Sequence, residues 1–169
     1  MPEPKAHADE RPALEQLLRK IPGFRGYLEK SYRRESDALG RKHLADRLER
    51  AKRGLNDYAL QLVSDGQLDG GPVCDRLRAK LDRLIGRLRG AMQGYSGMFD
   101  LVQIDEAVLD KVYDFDIALV DRVEILADGI EKLPAATASP TEAIAPLQSQ
   151  LAAIEQEWDQ REDILKGLG

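Results

Sequence analysis

The stretch from Ile21 to Val63, IPGFRGYLEKSYRRESDALGRKHLADRLERAKRGLNDYALQLV, decides the fold. No proline interrupts it after Pro22, and Leu44, Leu48, Ala51, Leu55, Tyr58 and Leu62 recur in a 4-3-4-3-4 rhythm. With that spacing one helix lays a continuous apolar seam against its neighbours. At about 1.5 Å per residue, a helix from Tyr27 to Val63 is roughly 55 Å long. Carried back toward the N-terminus, the seam lands on Arg41, Asp37, Arg34 and Lys30, none of which is expected in a core. Leu28, Tyr32 and Leu39 instead form a separate stripe, rotated by about 140°. This change of phase predicts a kink near Gly40, or a first half packed on a different neighbour. It makes the segment 22–39 the expected contact surface.

Outward from this segment the chain reads as further helices. Leu14, Leu17, Leu18 and Ile21 share one face of a short helix from about Asp9 to Lys20, which Pro22-Gly23 ends. The turn SDGQLDGGP over 64–72 leads to a third helix, about Val73 to Gln93, with seam Leu77, Leu81, Leu84, Leu88 and Ala91 and a basic flank of Arg76, Lys80, Arg83 and Arg87. A fourth, from about Asp105 to Leu133, carries Leu109, Val112, Asp116, Leu119, Val123, Leu126, Ile130 and Leu133. Beside that seam run Asp110, Asp114, Asp121, Glu124, Asp128 and Glu131, expected to face the basic flank of the third helix. PAATASPTEAIAP over 134–146 reads as a linker in which Ser139 and Glu142 offer a capping box. A fifth helix is expected after Pro146, with seam Ile144, Leu147, Leu151, Ile154, Trp158 and Leu165.

The expected fold is therefore all-α: an antiparallel helical bundle of four main helices with a short N-terminal helix and coiled-coil-like seams. Its divisions are an arm and short helix at 1–21, a bundle core at 22–133, a linker at 134–146 and a packing helix at 147–169.

Composition agrees with a globular helical chain: of 169 residues, 43% are apolar, 33% charged and only 5% aromatic. Charge is unevenly spread. Residues 1–90 hold 20 Lys+Arg against 14 Asp+Glu, and residues 91–169 hold 5 against 16. Two complementary halves, +6 and −11, are expected to pair with each other. Cys74 is the single cysteine, which suits a reducing, cytoplasmic setting. No apolar run is long enough to span a bilayer, and MPEPKAHADERP lacks the apolar core of a signal peptide.

Few residues carry recognisable chemistry. His7 and His43 belong to no Glu-x-x-His pair, which excludes a ferritin-like di-metal centre, and a cysteine-based zinc site is excluded by count. Phosphate-binding glycine loops and the nucleophile elbow are missing. Asp116 alone is chemically odd, because it occupies an apolar seam position where an unpaired charge is expensive. The expected role is a buried polar residue paired with Arg83, Arg87 or Arg53. The alternatives are an enzyme in which Asp116 is a catalytic carboxylate of raised pKa, or a divalent-ion site with Asp110 and Asp114. No cofactor is expected.

Recognition has more candidates. Phe24, Arg25 and Tyr27 lie in the glycine loop, followed by Leu28, Tyr32, Arg33 and Arg34. Tyr95 and Phe99 lie in a second glycine–aromatic stretch, GYSGMFD over 94–100. In both loops the rings either pin the loop to the core or form a recognition surface. Residues 19–53 carry 12 Lys+Arg against 5 Asp+Glu, so nucleic acid or an anionic membrane surface is an alternative ligand. Together these features predict a non-enzymatic interaction or scaffold protein with a protein partner, with homo-oligomerisation a further possibility.

IPGFRGY, GYSGMFD and YDFDIAL together resemble a family of small bacterial helical proteins with a P-G-[FY]-R-G-Y loop, a G-Y-[SA]-G-[MF]-F-D turn and a Y-[DE]-[FY]-D helix. The likeness covers roughly residues 20–130. It implies no activity, cofactor or catalytic residue, and it suggests that the two loops and Asp116 belong to one unit.

Overall fold

The computed structural model describes residues 11–94 and 106–165. Five α-helices pack against one another: α1 (Pro12–Lys20), α2 (Lys30–Ser64), α3 (Gly70–Gly94), α4 (Glu106–Glu131) and α5 (Pro140–Leu165), with a short 3-10 turn at Leu133–Ala135. No strand occurs among the described residues. The long α2 touches α3 and α4, α5 closes against both α3 and α4, and α1 docks on α4. No helix of the described residues is long and apolar enough to cross a membrane.

The apolar seams form the core. On α2, Leu48, Ala51 and Leu55 are fully buried, as are Leu77, Leu81 and Leu84 on α3 and Val112 and Leu126 on α4. Ile144, Leu151 and Ile154 do the same on α5, while Trp158 anchors its far half at 2% exposure. Close approach decides one glycine: a Cβ on Gly54 would sit 2.7 Å from the Glu131 Cα, so α2 and α4 touch backbone to backbone there.

Several expectations need correcting. The long helix runs unbroken from Lys30 to Ser64, with no break at Gly40. The seam does continue through Arg41 and Asp37, which are buried at 2% and 9% exposure. The fifth helix begins at Pro140, not after Pro146, so the 134–146 linker shrinks to the few residues around the 3-10 turn. Ser139 supplies the reason: its Oγ accepts from the Glu142 N–H at 3.3 Å and its carbonyl from the Ala143 N–H at 2.8 Å. Pro146 removes the donor for the Glu142 carbonyl, but Glu142, Ala145 and Pro146 are exposed, so the loss is on the solvent side of the helix, where it costs little. The first helix begins at Pro12; Asp9, His7 and the expected cap Asp105 lie outside the described residues.

Charge pairing between the halves is real, but with different partners. The acidic flank of α4 meets α2: Arg47 reaches Glu124, Asp128 and Glu131 at 2.9, 3.0 and 2.6 Å. Arg87 of α3 instead meets Asp159 and Glu162 of α5 at 2.5 and 3.8 Å. Apart from Glu162, at 13%, these carboxylates are 43–59% exposed, and exposed pairs contribute about 0–1 kcal/mol each, so they choose partners and the seams supply stability.

Candidate functional site

The seams of α2, α4 and α5 are each interrupted by charge at one level, and the interruptions meet. Asp37 and Arg41 come from α2, Asp116 from α4, Arg161 from α5 and Tyr27 from the α1–α2 loop. The Arg161 Nε donates to Asp116 Oδ1 at 2.5 Å and its Nη2 to Asp37 Oδ1 at 2.8 Å. Arg41 Nε donates to Asp37 Oδ2 at 2.7 Å, and the Tyr27 hydroxyl donates to Asp116 Oδ2. Two guanidiniums and two carboxylates leave the layer neutral. Trp158 forms its wall, with Arg41 and Arg161 placed 4.5 and 5.1 Å from the ring centroid.

The loop that delivers Tyr27 is held from several sides. Gly26 has a φ of +84°, and a Cβ there would meet the Tyr113 hydroxyl at 2.8 Å, so this position demands glycine. The Tyr27 N–H donates to that same hydroxyl at 2.8 Å, and the two rings stack with centroids 5.3 Å apart. Phe24 packs edge-on against Tyr27 at 5.4 Å, the Arg25 N–H donates to Ser36 Oγ at 3.0 Å, and Arg33 Nε donates to the Tyr27 carbonyl at 2.6 Å.

Electrostatics follow from this packing. Burial pushes the Tyr27 phenol well above its ordinary range, with the Asp116 charge adding to the shift. Tyr113 is raised to about 12, mainly by burial. Burial also pushes the Asp37 carboxyl up, but Arg161 and Arg41 together outweigh it and hold Asp37 below the usual carboxylate range. Arg161 stays firmly protonated, because Asp116 and Asp37 overcome its own burial. A cavity of about 10 Å³ remains between Tyr27, Asp37, Arg41, Asp116, Trp158 and Arg161, room for about one water. Arg161 Nη1 and Trp158 Nε1 are buried and have no hydrogen-bond partner.

The partner of Asp116 is thus Arg161, not Arg83, Arg87 or Arg53. Asp110 does not approach it: that carboxylate is exposed and pairs with Arg11 at 2.7 Å, while Asp114 is exposed too. Among the described residues no three His, Cys, Asp or Glu side chains are grouped to hold a metal ion. Of the recognition candidates, Phe24 and Tyr27 are pinned to the core at 4% and 1% exposure, and Leu28 packs half-buried against it. Arg25 is exposed and lies 4.9 Å from the Tyr32 ring centroid; Tyr32 and Arg33 are half-buried and Arg34 exposed. Tyr95 and Phe99 lie outside the described residues. Comparison of the chain with protein-family models, curated proteins and solved structures finds no match to any of them.

Three members of the layer, Asp37, Arg41 and Arg161, and the loop's anchor Tyr113 are not among the sequence candidates, although the sequence carries a signal for the first three. Asp37 and Arg41 continue the α2 seam in phase, and Arg161 lies three residues beyond Trp158 and four before Leu165. Charges of both signs at seam positions on different helices find each other, because each is too costly to bury alone.

Proposed function

We propose that the chain is a non-enzymatic helical interaction protein that presents the outward side chains of segment 22–39 to a protein partner. The observation that carries this reading is the two-sided character of the segment. Phe24 and Tyr27 are fastened inward by stacking and hydrogen bonds, while Arg25 over Tyr32, and Arg34, face outward. A surface fixed before binding loses little entropy on association, and exposed guanidiniums suit an acidic partner. On this reading the polar layer is structural, which fits the commitment of both Asp116 oxygens to Arg161 and Tyr27. Antiparallel packing of α2 with α3 is supported by the pairs Lys52–Asp82 and Arg89–Asp46, and of α4 with α5 by Asp116–Arg161 and Arg122–Glu157, and a cytoplasmic setting is supported by the buried free thiol of Cys74.

The test is affinity capture from the native cell with wild type and with an Arg25→Glu/Tyr32→Ser variant. A protein retained by wild type should be lost from the variant while the thermal midpoint holds. Equal retention refutes the assignment of this surface.

A second reading has an observation of its own. Arg53, Arg76, Lys80 and Arg83 are exposed on α2 and α3 and form no ion pair among the described residues. An anionic membrane or nucleic acid is the ligand such a face would bind. Binding to anionic vesicles or to duplex DNA should then fall steeply between low and moderate salt; no retention at low salt removes this reading.

A further inference from the structure

We propose that, on the reading that the basic face of α2 and α3 binds an anion, that anion is the phosphate backbone of duplex nucleic acid, seated along the outward face of α3. At about 100° per residue, Arg76, Ala79, Lys80, Arg83, Gly86 and Gly90 fall within an arc of about 120° turned away from the buried seam of Leu77, Leu81, Leu84 and Leu88. All six are exposed, and none is acidic. The two carboxylates of α3 lie outside that arc and are engaged elsewhere: Asp75 pairs with Arg78 at 2.8 Å and Asp82 with Lys52 at 2.6 Å. Arg53 and Arg83 each follow a member of the Lys52–Asp82 pair, so Arg53 of α2 stands at the same level and adds a fourth exposed cation. Arg53, Arg76, Lys80 and Arg83 form no ion pair among the described residues, whereas Arg87, at the α5 edge, is held by Asp159 and Glu162 at 2.5 and 3.8 Å.

Spacing and shape favour a duplex. From Arg76 to Arg83 is about 10 Å of helix carrying three cations, and the same length of one duplex strand carries about three phosphates. Gly86 and Gly90 leave the following turn bare. A Cβ on either would meet nothing within 4 Å, so no contact inside the molecule asks for glycine there, unlike Gly129, where a Cβ would meet Leu147 at 2.7 Å. Glycine weakens a helix interior, and at these two places it leaves room for an external backbone to come close. A lipid surface is a poorer match. The large apolar side chains of α3 from Val73 to Leu88 are buried, which leaves none to insert between headgroups. Leu60, Val63 and Leu68 are exposed, but the chain has no cation between Arg53 and Arg76, and Asp57, Asp65 and Asp69 stand among them, exposed and without an ion pair among the described residues. The outward arc of α3 also carries no aromatic ring on which an unpaired base could stack, which sets a duplex above a single strand.

The test uses the full chain and short labelled duplexes, one of DNA and one of RNA, followed by fluorescence anisotropy. With four phosphates neutralised, log K should fall against log salt with a slope of about −3.6, a loss of roughly 150-fold between about 50 and 200 mM. Arg76→Ser/Arg83→Ser should about halve that slope and weaken binding about tenfold or more at low salt. The control Lys111→Ser/Lys132→Ser removes the same charge from exposed positions off this face and should bind as wild type. Gly86→Gln/Gly90→Gln should raise the thermal midpoint and still weaken binding. An equal loss in the control, or a single strand held as tightly as the duplex, overturns the proposal. Retention on phosphatidylserine vesicles with neither duplex bound overturns it in favour of lipid and leaves the anionic-ligand reading standing; retention on none of the three removes both.

Discussion

Replacing Arg161 with methionine removes one side chain and strands two charges unequally. Asp37 keeps its bond to Arg41 at 2.7 Å, while Asp116 retains only the Tyr27 hydroxyl. Asp116 is 9% exposed and Arg161 2%, and the adjoining cavity has room for about one water, so hydration replaces the lost 2.5 Å partner only in part. Breaking a buried pair from one side costs about 3–5 kcal/mol, because the survivor is left uncompensated. Stability of an ordinary domain is roughly 5–15 kcal/mol, so this is a large share of it, and the midpoint should fall by about 6–20 °C. The Asp116→Leu/Arg161→Met double variant removes both charges and leaves Asp37 paired with Arg41. It should be markedly more stable than Arg161→Met alone, giving a coupling of about 1–3 kcal/mol. Urea unfolding of wild type, both singles and the double measures it. A cost under about 1 kcal/mol for Arg161→Met, or strictly additive costs, would refute the claim that these residues form one neutral buried unit.

Gly40→Ala meets nothing within 4 Å in the middle of α2 and should stabilise by about 0.5–1 kcal/mol, whereas Gly54→Ala drives a methyl against the Glu131 backbone at 2.7 Å and should destabilise; thermal melts of the two variants should shift in opposite directions. Asp37 has a folded pKa below the ordinary 3.8, so its contribution is fully present above that value and is lost as pH falls through the lower folded value; the acid limb of the urea midpoint should flatten in Arg41→Met, and an unchanged limb would contradict the pairing.

The helices were legible because leucine spacing is a local signal that tertiary packing only reinforces. Leu44 to Leu62 on α2 and Leu109 to Ile130 on α4 are buried as the rhythm requires. The polar layer was misread because each charge was judged within its own helix. Seen alone, Asp37 and Arg41 suggest a helix leaving the core; their partner Arg161 lies 124 residues from Asp37, a pairing that no local window contains. The 3.6-residue period did place all three at seam positions, so the geometry was written in the chain and the pairing was not. The choice between pinned and exposed rings in IPGFRGY turned on Tyr113, whose hydroxyl meets the Tyr27 N–H across 86 residues. Pro146 argues for a later start to α5 than the Ser139 cap does, and the cap prevails because an exposed carbonyl loses little when its intrahelical donor is missing.

A charged layer is an expensive way to fill a core, and its value lies in what leucines cannot do. Seams of Leu, Val and Ile repeating every three or four residues bury almost as much apolar surface when α4 slides by one heptad along α2. Such a slip would move Val123 or Leu109 to the level of Arg161 and Asp37, leaving a buried cation and carboxylates with unequal partners at several kcal/mol each. It would also carry Glu131 away from Gly54, where the backbones meet only because no Cβ intervenes. The two constraints sit on different turns of α2, about 13–17 residues apart and so roughly 20–25 Å along the axis. Together they fix translation and rotation of α4 on α2. Because Tyr27 takes part in the layer, the conformation of the 22–29 loop is set by the same choice of register, which couples the outward face of that loop to the packing of three helices.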